Sequence, residues 1–418
     1  MLSFPRTPLW LFVFGCPALF FLTTQNVAAQ ASAPSDSVRL RLFAPAWRNI
    51  GEQKPQDVAK KFTVIFGNLP PGPFHEGNPD AKCVKYTLGP YVAKGLLKVL
   101  PREALGRDGQ GEVIKARAWA NWLVVPDNPK WLDHVAGVVR ALMDSDYDGL
   151  FVDSMGTAPV DSNYLLSTPI NSQTNKPYTK AEWLAAECVM LEAIAKAMPK
   201  GKPLILNGLG MGQRYWTEPE EASPRVLLRC MNGAMSEQIW RQPTNPLDAW
   251  PSPEKWMGEI RMVQDVERRG LMGFWWTKCW TDGNTSANEP NAATLVPQWR
   301  RFALASYLLA AGPHSCFNFD TVKNDKPVSN AAEYFPEYDA PLGEAVGPMQ
   351  ELAEGAVYWR PFSNGLVLVN PTEKAMEGIQ KIAAKGAAFV SWGENRTVRA
   401  PLSIPPHTGL ILTAQERP

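Results

Sequence analysis

The chain has 418 residues, 45% of them hydrophobic and 20% charged, with a formal net charge of +1 at pH 7. That length exceeds one ordinary core and suits a large domain with a smaller one beside it. No basic excess or stripe is present, which argues against a nucleic-acid partner. Only four histidines occur, with no H-x-H or H-E-x-x-H spacing, which argues against a histidine-based metal site.

Residues 1–31 stand apart. They carry one charge, Arg6, then an apolar run from Leu9 to Leu22 and small residues at Ala28, Ala29 and Ala31. A basic start, a short apolar stretch and an A-x-A-like site predict a secretory signal peptide, and with it a secreted protein, periplasmic or extracellular. The run spans 14 residues, short of the about 20 that a membrane-spanning helix needs. Without the leader, basic and acidic residues balance. Five cysteines remain, at 83, 188, 230, 279 and 316. Most lie in apolar stretches and read as buried thiols, with one disulfide allowed in an oxidising compartment.

Short apolar strands then alternate with amphipathic helices, the signature of βα units around a parallel sheet. Strands are predicted near Val38–Phe43, Phe62–Phe66, Val84–Tyr91, Gly149–Asp153, Pro203–Asn207, Gly233–Glu237, Gly270–Trp276 and Ser315–Phe319. Eight strands fit a closed (β/α)8 TIM barrel over residues 32–339. Asn128-Pro129 starts one helix, with Trp131, Val135, Val138, Val139 and Leu142 on one face. Thr179-Lys180-Ala181-Glu182 is a capping box that opens another. Residues 225–232 also read as helix-like. After about residue 340 the helical period fades. Strand-like pieces at Val357–Phe362, Leu366–Val369, Ala388–Trp392 and Gly409–Thr413, with Asn-Gly and Asn-Pro turns, predict a small antiparallel β domain over 340–418.

In such a barrel, chemistry collects where strands end and loops begin. Asp153 ends Gly149-Leu150-Phe151-Val152-Asp153, and Glu237 ends Gly233-Ala234-Met235-Ser236-Glu237. Alone, the first could be a loop cap and the second a surface glutamate. Together they are the minimum for glycoside hydrolysis, one carboxyl donating a proton and the other attacking or activating water. Sequence leaves their separation open, and with it the choice between retention and inversion. Asn207 ends the strand between them and could bond a sugar hydroxyl or its own loop. Trp240, Trp275, Trp276 and Trp280 are candidates to stack on sugar rings, or to fill the core. Adjacent Trp275 and Trp276 cannot share a strand face. Asp282 and Asp320 are further polar candidates.

The stretch Asp127-Asn128-Pro129-Lys130-Trp131, followed by Tyr147-Asp148-Gly149-Leu150-Phe151-Val152-Asp153, resembles the D-N-P-x-W and Y-D-G patterns of a hypothetical glycoside-hydrolase-like family of secreted TIM-barrel proteins. The segments Ile205–Gly208, Gly233–Glu237 and Gly365–Pro371 are also similar to that group. The resemblance implies Asp153 as nucleophile and Glu237 as acid/base, a carbohydrate substrate, and no cofactor. It also implies an accessory role for the C-terminal β domain. Strand five ends here in Asn207 rather than an acid, so families with their acid/base on that strand match poorly. Two rivals remain: a catalytically inert barrel that binds carbohydrate, and a metal-dependent hydrolase, which the histidine pattern does not support.

Overall fold

The computed structural model describes residues 40–46, 50–279, 291–321, 333–353, 356–379, 382 and 386–414. The expected leader, Trp280 and Asp282 lie outside the described residues.

Eight parallel strands follow one another in sheet order and in chain order: β1 (Phe43–Ala46), β2 (Val64–Gly67), β3 (Lys82–Leu88), β4 (Gly149–Asp153), β5 (Leu204–Asn207), β6 (Gly233–Ser236), β7 (Met272–Lys278) and β8 (Ser315–Asp320). A parallel bridge from Leu42 to Phe317, with the Asn318 amide donating to the Phe43 carbonyl at 2.7 Å, brings the last strand back to the first. This is the (β/α)8 barrel that the sequence predicts. The central strands read as unbroken apolar runs because both of their faces are covered.

One face of each strand fills the barrel. Phe43, Val64, Phe66, Val84, Phe151, Ile205, Met235, Phe274, Trp276 and Cys316 form that interior cluster. Its aromatic rings meet edge to face, with Phe66 and Phe274 centroids 4.8 Å apart. The other face packs outward against the helices in the larger core.

Those helices are α1 (Pro55–Lys61), α2 (Gly72–Gly77), α3 (Pro129–Met143), α4 (Lys180–Ala197), α5 (Pro253–Arg268) and α6 (Ala292–Ala310). The Asn128 side chain caps α3, accepting from the Lys130 and Trp131 N–H groups, and Pro129 takes the first turn where its missing N–H costs nothing. Trp131, Val135, Val139 and Met143 form the buried stripe. At α4 the Thr179 hydroxyl accepts from the Glu182 N–H and the Glu182 carboxylate accepts from the Thr179 N–H, the predicted capping box.

Several boundaries shift from the sequence reading. The first strand is displaced to Phe43–Ala46. The helix-like segment before β6 is a 3-10 helix, Pro224–Cys230, not an α-helix. The seventh strand continues two residues further, to Lys278, because its pairing with β8 persists to Asp320.

Beyond the barrel, β9 (Gln350–Ala353), β10 (Val357–Phe362), β11 (Gly365–Asn370), β13 (Ala388–Ser391), β14 (Arg396–Arg399) and β16 (Thr408–Ala414) form an antiparallel sheet, while β12 (Met376–Ile379) pairs with β15 (Leu402–Ile404). The sheet lies on α6. Arg360 donates to the Ala311 carbonyl at 2.6 Å, and the Gln298 amide donates to the His407 carbonyl at 3.0 Å.

Candidate active site

Strand alternation decides what faces the barrel mouth. Phe151 points inside, so Asp153, two residues on, does too. By the same count Asn207 follows Ile205, Glu237 follows Met235, Lys278 follows Trp276, and Asp320 follows Cys316 by four. Five successive strands therefore deliver polar side chains to one end of the barrel, above its apolar filling.

These groups are bonded into one chain. Asp153 Oδ2 accepts from the Tyr86 hydroxyl at 2.7 Å, and Oδ1 accepts from the Ser154 N–H at 2.7 Å and from Asn207 Nδ2 at 2.8 Å. The same Asn207 nitrogen donates to Glu237 Oε2 at 2.7 Å. Glu237 Oε1 in turn accepts from Lys278 Nζ at 2.5 Å. That ammonium also lies 3.6 Å from the centre of the Trp276 ring, a cation–π contact. Because Asp153 Oδ1 and Glu237 Oε2 lie 2.8 and 2.7 Å from one nitrogen, they are separated by at most the total of those lengths, about 5.5 Å.

The loops behind the site leave no slack. Ser154, next to Asp153, sits at φ +62°, a left-handed conformation costly for a non-glycine residue. Gly156 has φ +89°, and a Cβ there would lie 2.4 Å from the Gly208 carbonyl oxygen; one on Gly208 would lie 2.6 Å from the Met155 backbone. The turns after β4 and β5 thus touch backbone to backbone. Buried Glu187 on α4 accepts from the Gly156 N–H at 2.8 Å and the Trp183 indole N–H at 3.0 Å, tying the first turn to the helix layer.

Burial, and then the nearby Glu237 charge, push the Asp153 carboxyl above its ordinary range, while the Tyr86, Asn207 and Ser154 donors pull it back. Asp153 keeps some surface open at the mouth although its carboxyl is enclosed by protein atoms. Glu237 is the more open partner, with 34% of its side-chain surface exposed against 9% for Lys278. Burial and the Asp153 charge raise Tyr86 far above its ordinary value, so it remains a hydroxyl donor. Asp320 is buried, and neither of its carboxylate oxygens has a hydrogen-bond partner among the described residues. Burial lifts it to about 8, with Glu333 adding to the effect and Lys278 opposing it.

The structure thus joins Asp153, Asn207 and Glu237 directly, and sets Trp276 and Asp320 beside Lys278. Trp275 and Trp276 do point to opposite sides of β7. Trp275 is fully buried outside the barrel wall, donating to Ser315 Oγ at 3.0 Å, which leaves it no face for a ligand. Trp240 is 2% exposed, held in the core at φ +60°. Of the tryptophans singled out in sequence, only Trp276 belongs to the described mouth, as the platform beneath Lys278. Tyr86 and Lys278 are the residues that sequence reasoning missed. Lys278 was detectable, since it shares the parity of Trp276 once β7 is allowed to run two residues longer.

One group among the described residues has metal-ligand chemistry: His75, Cys83 and Asp148, with ligand atoms within 4.8 Å of one another. It sits at the opposite end of the barrel, where β3 and β4 begin. Its geometry is accounted for by Asp148 Oδ2, which accepts from the Cys83 N–H at 2.8 Å and lies 3.1 Å from His75 Nε2.

A (β/α)8 barrel with two carboxyls held close at the C-terminal ends of its strands defines a class with the framework of glycoside hydrolases. The chain belongs to the hypothetical glycosyl hydrolase family 15, whose sequence profile matches residues 121–366, a span that contains Asp153, Asn207, Glu237 and Lys278. No curated protein matches the sequence. The chain is similar to the glycoside hydrolase domain of PelA from Pseudomonas aeruginosa, at 14% identity and TM-score 0.42 over 69% of this chain and 98% of that one. It is similar to the noncanonic maltogenic alpha-amylase AmyB from Thermotoga neapolitana, at 12% identity and TM-score 0.47 over 90% and 96%. It is also similar to Ega3 from Aspergillus fumigatus, solved with galactosamine, at 10% identity and TM-score 0.40 over 68% and 92%.

Proposed function

We propose that this protein is a retaining glycoside hydrolase that cleaves O-glycosidic bonds of a poly- or oligosaccharide, with Asp153 as nucleophile and Glu237 as acid/base. The observation that carries this reading is the shared Asn207 nitrogen. It limits the nearest carboxylate oxygens to about 5.5 Å. Retaining enzymes hold their carboxyl groups about 5–5.5 Å apart, whereas inverting enzymes leave about 6.5–9.5 Å for a water.

The roles follow from the surroundings. Three donors fix the Asp153 oxygens, so a lone pair is held still for attack on the anomeric carbon. Glu237 is open enough to meet a leaving-group oxygen and, after departure, a water. Two observations favour the exchanged assignment. Burial keeps Asp153 inclined to hold a proton, and Lys278 Nζ lies 2.5 Å from Glu237 Oε1. Azide separates the two: a nucleophile replaced by alanine gives the inverted glycosyl azide, and a replaced acid/base gives the retained one.

On the same reading, residues 1–31 export the protein, 32–339 carry catalysis and 340–418 buttress the barrel. No helix among the described residues is long and apolar enough to cross a membrane.

The test is reducing-end release across a polysaccharide panel, followed by proton NMR of the first anomer formed. Release with retained configuration supports the proposal. Release with inversion contradicts the two-step mechanism. Binding without release from any polysaccharide identifies the inert carbohydrate-binding barrel instead.

A further inference from the structure

A cavity of about 460 Å³ opens where the barrel meets the C-terminal sheet. Trp250 and Pro253 line it from the barrel side, and Thr372, Glu373, Lys374 and His407 line it from the β domain. The barrel side belongs to the loop that leaves Glu237 and runs into α5. In a (β/α)8 barrel such loops lie at the C-terminal ends of the strands. The cavity is therefore at the same end of the barrel as Asp153 and Glu237, but out at the helix layer where α5 begins. Ligand sites run from about 300 to 1,000 Å³, so this volume takes a short stretch of saccharide.

The walls are fixed before any ligand arrives. Trp299, fully buried on α6, stacks on Trp250 with ring centres 3.7 Å and planes 14° apart, and Trp250 stacks in turn on His407 at 5.0 Å and 3°. The column carries two half-buried rings from the core to the cavity lining. On the β-domain side, buried Asn370 braces the turn after β11. Its amide donates to the Lys374 and Pro405 carbonyls at 2.7 and 3.0 Å and accepts from the Thr372 N–H and hydroxyl at 3.0 and 2.7 Å. His407 is held at φ +48°, its N–H donating to the Thr372 carbonyl at 3.2 Å and its carbonyl accepting from the Gln298 amide at 3.0 Å. A non-glycine residue in this conformation is strained, and such residues cluster at ligand clamps. The exposed Glu373 and Lys374 carry opposite charges. Burial lowers the His407 imidazole below its ordinary value against the pull of Glu373, so the ring is uncharged at neutral pH. The lining thus has no net charge, and it sets flat rings beside hydroxyl, carboxylate and ammonium groups. That mixture suits a neutral saccharide, whose C–H faces pack on rings and whose hydroxyls both donate and accept.

We propose that this cavity is a second saccharide-binding site, which holds a neutral stretch of the polysaccharide away from the bond being cut. It rests on the carbohydrate reading above and gives the β domain a share in binding. Rings already fixed lose little freedom when the ligand binds. A polymer that reaches both places is held at two points, so it binds more tightly than a short oligosaccharide.

The test compares the full-length protein with Trp250→Ala and with the double variant Glu373→Ala, Lys374→Ala. The double variant alters only exposed side chains, so it carries the test alone if Trp250→Ala fails to fold. Reducing-end release is measured on soluble starch, galactomannan and xylan, and on a short oligosaccharide of whichever polymer is cleaved. Binding is read as retardation in gels that contain the same polymers or anionic alginate. Each folded variant should raise KM for the polymer about threefold to tenfold, leave kcat and the oligosaccharide KM unchanged, and be retarded less. Wild-type KM and retardation in the folded variants would overturn the second site and leave the hydrolase reading standing. An equal rise in KM on polymer and oligosaccharide, or retardation by alginate alone, would also overturn it. Retardation without release, weakened in the variants, would keep the second site and remove the hydrolase reading. Neither release nor retardation with any polymer would overturn both.

Discussion

Lys278 holds Glu237 from the neighbouring strand, its ammonium 2.5 Å from Oε1 and seated on the Trp276 ring. The contact has a simple origin. β6 and β7 are hydrogen-bonded in parallel register, with Ser236 beside Trp275. The residue that caps one strand and the inward residue near the end of the next therefore meet over the barrel filling. With Asn207 on its other oxygen, Glu237 is fixed from both sides.

Lys278→Met should accordingly fold, since a long apolar chain can still cover Trp276, yet lose function. A misplaced catalytic group can cost as much as 100-fold. We expect kcat/KM to fall roughly tenfold to a hundredfold. Lys278→Arg should recover part of it. Wild-type kcat/KM in Lys278→Met would detach the cation from the chemistry.

Tyr86→Phe removes one of three donors from Asp153 and little volume. Removal of a single preorganised donor at an oxyanion can cost about 100-fold or more in kcat. Asp153 keeps two donors here, so a loss of roughly tenfold to a hundredfold is expected, with a melting temperature near that of wild type. Steady-state kinetics beside a thermal melt checks both halves.

Asp320 makes a prediction of opposite sign. Its carboxyl is buried, without a hydrogen-bond partner among the described residues, and raised to about 8. The folded state therefore holds its proton more tightly than the unfolded chain, whose aspartate titrates near about 4. Stability tied to this group is full below about pH 4 and is lost as pH rises towards 8. Asp320→Asn should remove that loss, making the variant more stable than wild type by about 1–3 kcal/mol at pH 8 and nearly equal to it at pH 4. Urea titrations at the two pH values test the difference, and an equal effect at both would reject it.

Gly208→Ala tests the backbone contact behind the site. The added methyl would press within 2.6 Å of the Met155 backbone, where nothing flexible can yield. Overpacking of this kind costs about 1–3 kcal/mol. The turns after β4 and β5 would part, and the Asp153–Asn207 bond with them, so activity should fall together with the urea midpoint.

Much of this was legible in the residues. Continuous apolar strands ending in Asp153, Asn207 and the Glu237 segment mark both the barrel and the end where its polar groups gather, because burial on both faces leaves those strands almost no other polar residues. The proline and capping-box signals at Asn128 and Thr179 are local chemistry, and they stand as predicted. Tyr86 was hidden because β3 carries mixed residues, Lys82 to Leu88, with no clean apolar run. Tryptophan content misled for a physical reason: an indole buries so much area that packing claims it first, as at Trp240 and Trp275. The Asn207 bridge depends on register between three strands, which no local pattern encodes.

The central claim is that Asp153 and Glu237 together break the bond. Its most direct test is the rate of reducing-end release by Asp153→Asn and by Glu237→Gln on one polysaccharide that the wild-type protein cleaves, with folding confirmed by thermal melt. The account predicts that each variant falls by about a thousandfold or more while remaining folded. Wild-type release by either folded variant would contradict it and move the chemistry away from this pair.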